Sequence, residues 1–82
     1  MIDVKCFAIV AEIIGKDSFE LDLEVLESPT IASLWTYLER VYPALEGKKK
    51  YIRFSKNLSF VPLDECLHKG DEIGIIPPVA GG

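Results

Sequence analysis

The residues best placed to do chemistry stand at the end of the sequence, where Pro77-Pro78-Val79-Ala80 runs directly into Gly81-Gly82 after the apolar stretch 73–76. Glycine has no Cβ, so two successive glycines can pass through a narrow slot and carry the terminal carboxylate of Gly82 to a reactive centre on another protein. Pro77 and Pro78 each fix φ and lack an N–H, which stops the preceding strand from continuing as paired sheet and directs the chain outward. Fully extended, residues 77–82 span on the order of 20 Å. A frayed end without function is the plainer alternative for a bare Gly-Gly. The strand and the double proline favour an arm. The expectation is a folded body over 1–76 and an extended tail over 77–82, with Gly82 as the reacting residue and Pro77, Pro78, Val79, Ala80 and Gly81 as the part that a partner would take in.

Other reactive side chains offer less. Cys6 lies among alternating apolar residues, where an unpaired cysteine behaves as a small buried hydrophobe. Cys66 and His68 make a Cys-x-His fragment, but zinc needs three or four ligands and no others stand nearby. Two cysteines in 82 residues do not make a disulfide framework, so reduced thiols are expected. No Ser-His-Asp set, Gly-rich phosphate loop or carboxylate pair is legible. The net charge of −4 argues against binding nucleic acid, and Lys48-Lys49-Lys50 with Arg53 and Lys56 reads as a solvated loop and strand edge. No apolar run approaches the length of a membrane span, and the first residues do not read as a signal peptide. A cytoplasmic, soluble domain is expected.

The elements that must position the tail are legible in part. Residues 1–9 alternate Ile2, Val4, Cys6 and Ala8 against Asp3, Lys5, Phe7 and Ile9, the period of a half-buried strand. Phe7 and Ile9 then fall on the otherwise polar face, and with Ile76 beside the tail they form a candidate partner-binding patch. Residues 11–18 read as a turn, and Phe19, Leu21, Leu23 and Val25 alternate with three carboxylates as a second strand. Ser28 or Thr30 can cap a helix, with Pro29 at an early helical position. Ile31, Leu34, Trp35, Leu38, Val41 and Tyr42 keep helical spacing up to Pro43. Strands are then expected at 51–55, at Phe60-Val61 and at 72–76, with Leu63 and Leu67 plugging the core. Strands around one helix predict an α+β roll of the β-grasp kind, a mixed sheet crossed by one main helix.

With these residues in place the chain resembles the ubiquitin-like sulfur carriers, and most closely those that form the small subunit of molybdopterin synthase. The resemblance covers essentially the whole length. Its strongest part is Gly70-Asp71-Glu72-Ile73-Gly74-Ile75-Ile76-Pro77-Pro78-Val79-Ala80-Gly81-Gly82, supported by Phe7-Ala8, Glu12, Gly15, the segment Pro29-Thr30-Ile31-Ala32-Ser33-Leu34 and Asn57. Departures are Ala11 in place of a frequent arginine, Ser55-Lys56 before Asn57, and Ile76 where an aromatic residue often precedes Pro-Pro.

The resemblance implies a cycle on Gly82. An E1-like adenylating enzyme spends ATP to make an acyl-adenylate, a sulfur donor protein displaces AMP to leave a thiocarboxylate, and the large synthase subunit takes the tail and passes sulfur to cyclic pyranopterin monophosphate. It also implies a heterotetramer of two small and two large subunits, no permanently bound cofactor, and a chain that is a recharged reagent and not an enzyme on its own. An acidic carrier would dock on a basic partner. Three alternatives stay open: a carrier for thiamine thiazole synthesis, a ubiquitin-like protein modifier, and a β-grasp binding module whose glycines are incidental. A small thiol enzyme using Cys6 or Cys66 is more remote.

Overall fold

In the computed structural model, which describes residues 1–78, five strands form one mixed sheet in the order β2-β1-β5-β3-β4. The strands are β1 Ile2–Cys6, β2 Ser18–Leu21, β3 Arg53–Lys56, β4 Ser59–Val61 and β5 Glu72–Ile76, with helices α1 Ala8–Ile14 and α2 Ile31–Val41. The central pair, β1 and β5, is parallel, with Val4 opposite Ile73 and Cys6 opposite Ile75. All other pairings are antiparallel. This is the α+β β-grasp roll expected, with α2 as its main helix.

Helix α2 forms where Thr30 accepts a hydrogen bond from Ser33 N–H and so satisfies a free donor of the first turn. Ser28 Oγ joins the Ser33 hydroxyl at 2.8 Å and Pro29 precedes the helix. Tyr42 ends it before Pro43. The helix buries Ile31, Leu34, Trp35 and Leu38 against Ile2, Val4, Phe54, Ile73 and Ile75 of the sheet. Trp35 is fully buried, with its ring edge-on to Phe54 at 5.8 Å. Such aromatic contact adds to the area term that dominates a core of this size.

Several expectations need correction. The first strand ends at Cys6, and the stretch read as strand and turn is α1: Val10 and Ile14, four residues apart, face the core, and Gly15 closes the helix at φ 84°. The second strand ends at Leu21, because Asp22 accepts a hydrogen bond from Glu24 N–H and caps a 3-10 turn over Leu23–Val25. The strand expected from Tyr51 begins at Arg53, since Tyr51 belongs to another such turn, Lys49–Tyr51. Leu67 plugs the core, whereas Leu63 stays exposed, and Leu45, two residues after Pro43, is fully buried. No helix among the described residues is long and apolar enough to cross a membrane.

Candidate functional site

Strand β5, which leads to the tail, is held by ladders on both sides, with Gly74 opposite Lys5 of β1 and Ser55 of β3. It ends at Ile76; Pro77 is buried and Pro78 exposed, so the chain leaves the packed body across the two prolines. The expectations for Val79, Ala80, Gly81 and Gly82 fall outside the described residues.

On the sheet face turned away from α2 lies a groove of about 190 Å³ with Gly74 and Ser55 at its floor. A Cβ at position 74 would collide with the Ser55 hydroxyl, so glycine keeps the floor low beside Ser55. Phe7, Leu58, Phe60 and Ile76 supply the apolar walls, and Lys5 and Glu72 place opposite charges at the rim. Phe7 is 48% exposed, Phe60 57% and Leu58 89%, an apolar cluster in open solvent. Each is placed by its own local cause. Ala8 at φ 51° turns the chain out of β1 and leaves Phe7 at the strand end. The Arg53 guanidinium lies 4.0 Å over the Phe60 ring, a cation–π contact that helps to place it. Leu58 occupies the tip of the β3–β4 hairpin, a two-residue loop in which Asn57 and Leu58 both take left-handed φ, 51° and 75°.

Of the three residues expected to form one patch, the structure brings together Phe7 and Ile76. Ile9 instead lines a separate hollow of about 340 Å³ with Tyr51, Ile52, Pro77 and Pro78, because α1 carries it off the sheet face. Leu58 and Phe60 were missed by sequence reasoning. The signal for Leu58 was present in the sequence: a leucine directly after Asn57 stands where a tight hairpin ordinarily prefers glycine.

The electrostatics beside this groove centre on Asp71, whose side chain is 12% exposed. Burial pushes its carboxyl up, but hydrogen bonds from His68 N–H and the Asn57 amide, with the charges of Lys56 and His68, outweigh this and hold it below the usual carboxylate range. Burial, with a contribution from Asp17, pushes the Cys6 thiol up to about 11, which makes it a poor nucleophile. Cys66 is exposed and unbridged. Among the described residues no three His, Cys, Asp or Glu side chains come together as metal ligands. The arrangement is suited to binding: an apolar groove beside the strand that ends at Ile76.

The comparisons with known proteins agree with this geometry. The model of the ThiS family matches residues 4–82. The chain is 38% identical to the molybdopterin synthase sulfur carrier subunit of Dictyostelium discoideum, over 93% of this chain and 90% of that one. Its fold superposes on SAMP1 from Haloferax volcanii with a TM-score of 0.80 at 29% identity, covering 99% of this chain and 98% of that one. It shares the fold of a chain in the complex of subunits 1 and 2 of the molybdopterin-converting factor from Helicobacter pylori, with a TM-score of 0.67 at 22% identity over 99% and 97% of the two chains. A β-grasp body, a matching family model that runs to the last glycine and identity to a curated carrier over nearly the full length converge, and the chain belongs to the ThiS family, among the sulfur carrier subunits of molybdopterin synthase.

Proposed function

We propose that this chain carries sulfur as a thiocarboxylate on Gly82 and delivers it for the dithiolene of molybdopterin. The observation that supports this best is the exit of the central strand β5 at Pro77-Pro78, next to the exposed groove of Phe7, Leu58, Phe60 and Ile76. A partner that covers the groove receives the tail at a fixed place. The groove offers exposed apolar anchors for the partner to cover, and Gly82 carries the reacting group.

A free carboxylate is a weak electrophile, so an E1-like enzyme, which docks on the same groove, first joins Gly82 to AMP, with pyrophosphate leaving from ATP. A persulfide on a sulfur donor protein then attacks the acyl carbon and AMP departs. A thiol reductant cleaves the S–S bond of the resulting acyl disulfide, leaving the thiocarboxylate on Gly82, the donor thiol and an oxidised disulfide of the reductant. The large synthase subunit docks on the groove, takes in residues 77–82 and directs the sulfur to its acceptor, and Gly82 returns as a carboxylate after hydrolysis. Two loaded carriers serve one dithiolene. The chain itself supplies binding and reach, and ATP is consumed on the activating enzyme.

The test is intact mass spectrometry after incubation with ATP, a sulfur donor and the activating enzyme. The mass gain of one sulfur-for-oxygen exchange, present in the full chain and absent when Gly82 is deleted, is expected. A second reading, attachment of Gly82 to lysine side chains of other proteins, is favoured by the likeness to the small archaeal modifier protein 1 of H. volcanii over 95% of this chain. Isopeptide conjugates with no mass gain on the free chain would select it.

A further inference from the structure

The foot of β5 is tied to the tip of the β3–β4 hairpin by a closed set of hydrogen bonds. Asn57 N–H donates to Glu72 O at 2.8 Å, and Glu72 N–H donates to Asn57 Oδ1 at 2.9 Å. Asn57 Nδ2 donates to Asp71 Oδ1 at 3.0 Å, while the other carboxylate oxygen accepts from His68 N–H at 2.8 Å. The main chain of Asp71 is itself fixed, since its carbonyl accepts from Asp3 N–H at 2.9 Å. One asparagine thus joins the hairpin to a carboxylate anchored on the sheet.

We propose that Asn57 and Asp71 form a clasp that positions Leu58 as a wall of the docking groove, so that recognition of the carrier by its enzymes depends on two residues that do not line the groove. This rests on the groove being the docking surface proposed above. Leu58 has no packing of its own to hold it, being 89% exposed, and its φ of 75° is one that a leucine leaves readily. Asn57 tolerates the left-handed region, and its side chain spends both its donor and its acceptor on the foot of β5. Glu72 receives the clasp through its main chain and also lines the groove, so the same contacts set the spacing between the Leu58 wall and the strand opposite. A wall fixed before binding loses less freedom when a partner closes on it.

The experiment follows pyrophosphate release by the purified activating enzyme as the concentration of full-length carrier is varied, at a temperature where circular dichroism shows every variant folded. Asn57→Gly keeps the backbone free of strain and removes the clasp; KM for the carrier should rise about tenfold with kcat unchanged, as expected when an interaction with a charged partner group no longer pre-orders the surface. Asn57→Asp sets two carboxylates against each other and should raise KM further. Adding Asp71→Asn restores a donor facing an acceptor, and the double variant should return to within about threefold of wild type. Wild-type KM in Asn57→Gly, a loss confined to kcat, or a double variant no better than Asn57→Asp would each overturn the clasp. If Asn57→Asp alone fails to fold, Asn57→Gly and the double variant decide. Absence of turnover with the wild-type chain would overturn the carrier reading and the clasp with it, whereas wild-type turnover with indifferent variants overturns the clasp alone.

Discussion

Replacing Leu58 by glycine should strengthen the fold and weaken its docking at the same time. Leu58 sits at φ 75° with 89% of its surface exposed, so the native state holds a strained backbone and gains almost no burial from the side chain. Left-handed geometry costs a non-glycine residue about 1–2 kcal/mol, while the extra freedom of glycine in the unfolded chain offsets about 0.5–1 kcal/mol. The net gain is about 0.5–1 kcal/mol, a rise in Tm of about 2–8 °C for a domain of this size. Binding moves the other way. A leucine side chain buried in an interface contributes about 1.5–3 kcal/mol, so affinity for the large subunit should fall about 10- to 100-fold. Thermal unfolding by circular dichroism and titration calorimetry against the large subunit read the two effects separately. A drop in Tm would show that the side chain supports the fold, and unchanged affinity would remove Leu58 from the docking surface.

Three further outcomes follow from the packing and the titrating groups. Trp35 is fully buried and its Nε1 has no hydrogen-bond partner, so Trp35→Ala should cost about 3–5 kcal/mol and leave little folded protein, whereas Trp35→Phe, which removes the unpartnered donor, should cost much less in urea unfolding. The native fold favours the charged form of Asp71, so its stabilisation is fully present above the ordinary carboxyl value of 3.8 and is lost as pH falls through the lowered folded value; Asp71→Asn should flatten that acid limb in unfolding curves measured across pH. With its thiol pushed up to about 11 and buried, Cys6 should resist an alkylating reagent at neutral pH while Cys66 reacts, giving one label per native chain by mass spectrometry and two after denaturation.

Where one signal dominated, the sequence was readable. The stripe of Ile31, Leu34, Trp35 and Leu38 between Thr30 and Pro43 gave α2, and the turn at Gly70-Asp71 with the stop at Pro77 gave β5 to the residue. Helix α1 was missed because two periods overlap there. Phe7 and Ile9 continue the alternation of β1, while Val10 and Ile14 carry the helical spacing over only seven residues, and Phe7 makes no side-chain cap to mark the start. The three carboxylates after Phe19 misled in a similar way: alternation continued past the point where Asp22 turns its side chain onto the backbone and ends the strand. Both errors fall where local hydrogen bonding overrides periodicity.

The groove was less legible than the fold because its walls come from three separated segments. Phe7 is set by a left-handed alanine, Phe60 by a guanidinium from the neighbouring strand, and Leu58 by an asparagine whose partners lie 14 and 15 residues away. Periodicity reports which face of an element is buried and carries no information about such long-range ties. The residues that look wrong for their positions do carry it. A leucine where a tight turn prefers glycine, a glycine inside a strand held from both sides, and phenylalanines left in solvent each conflict with local preference, and all of them meet in one groove. Local rules broken independently at several points of one surface indicate a requirement that the isolated chain does not itself satisfy, and the docking proposed above would satisfy it: a partner that covers the groove would remove the exposed apolar area beside the strand that ends at Ile76.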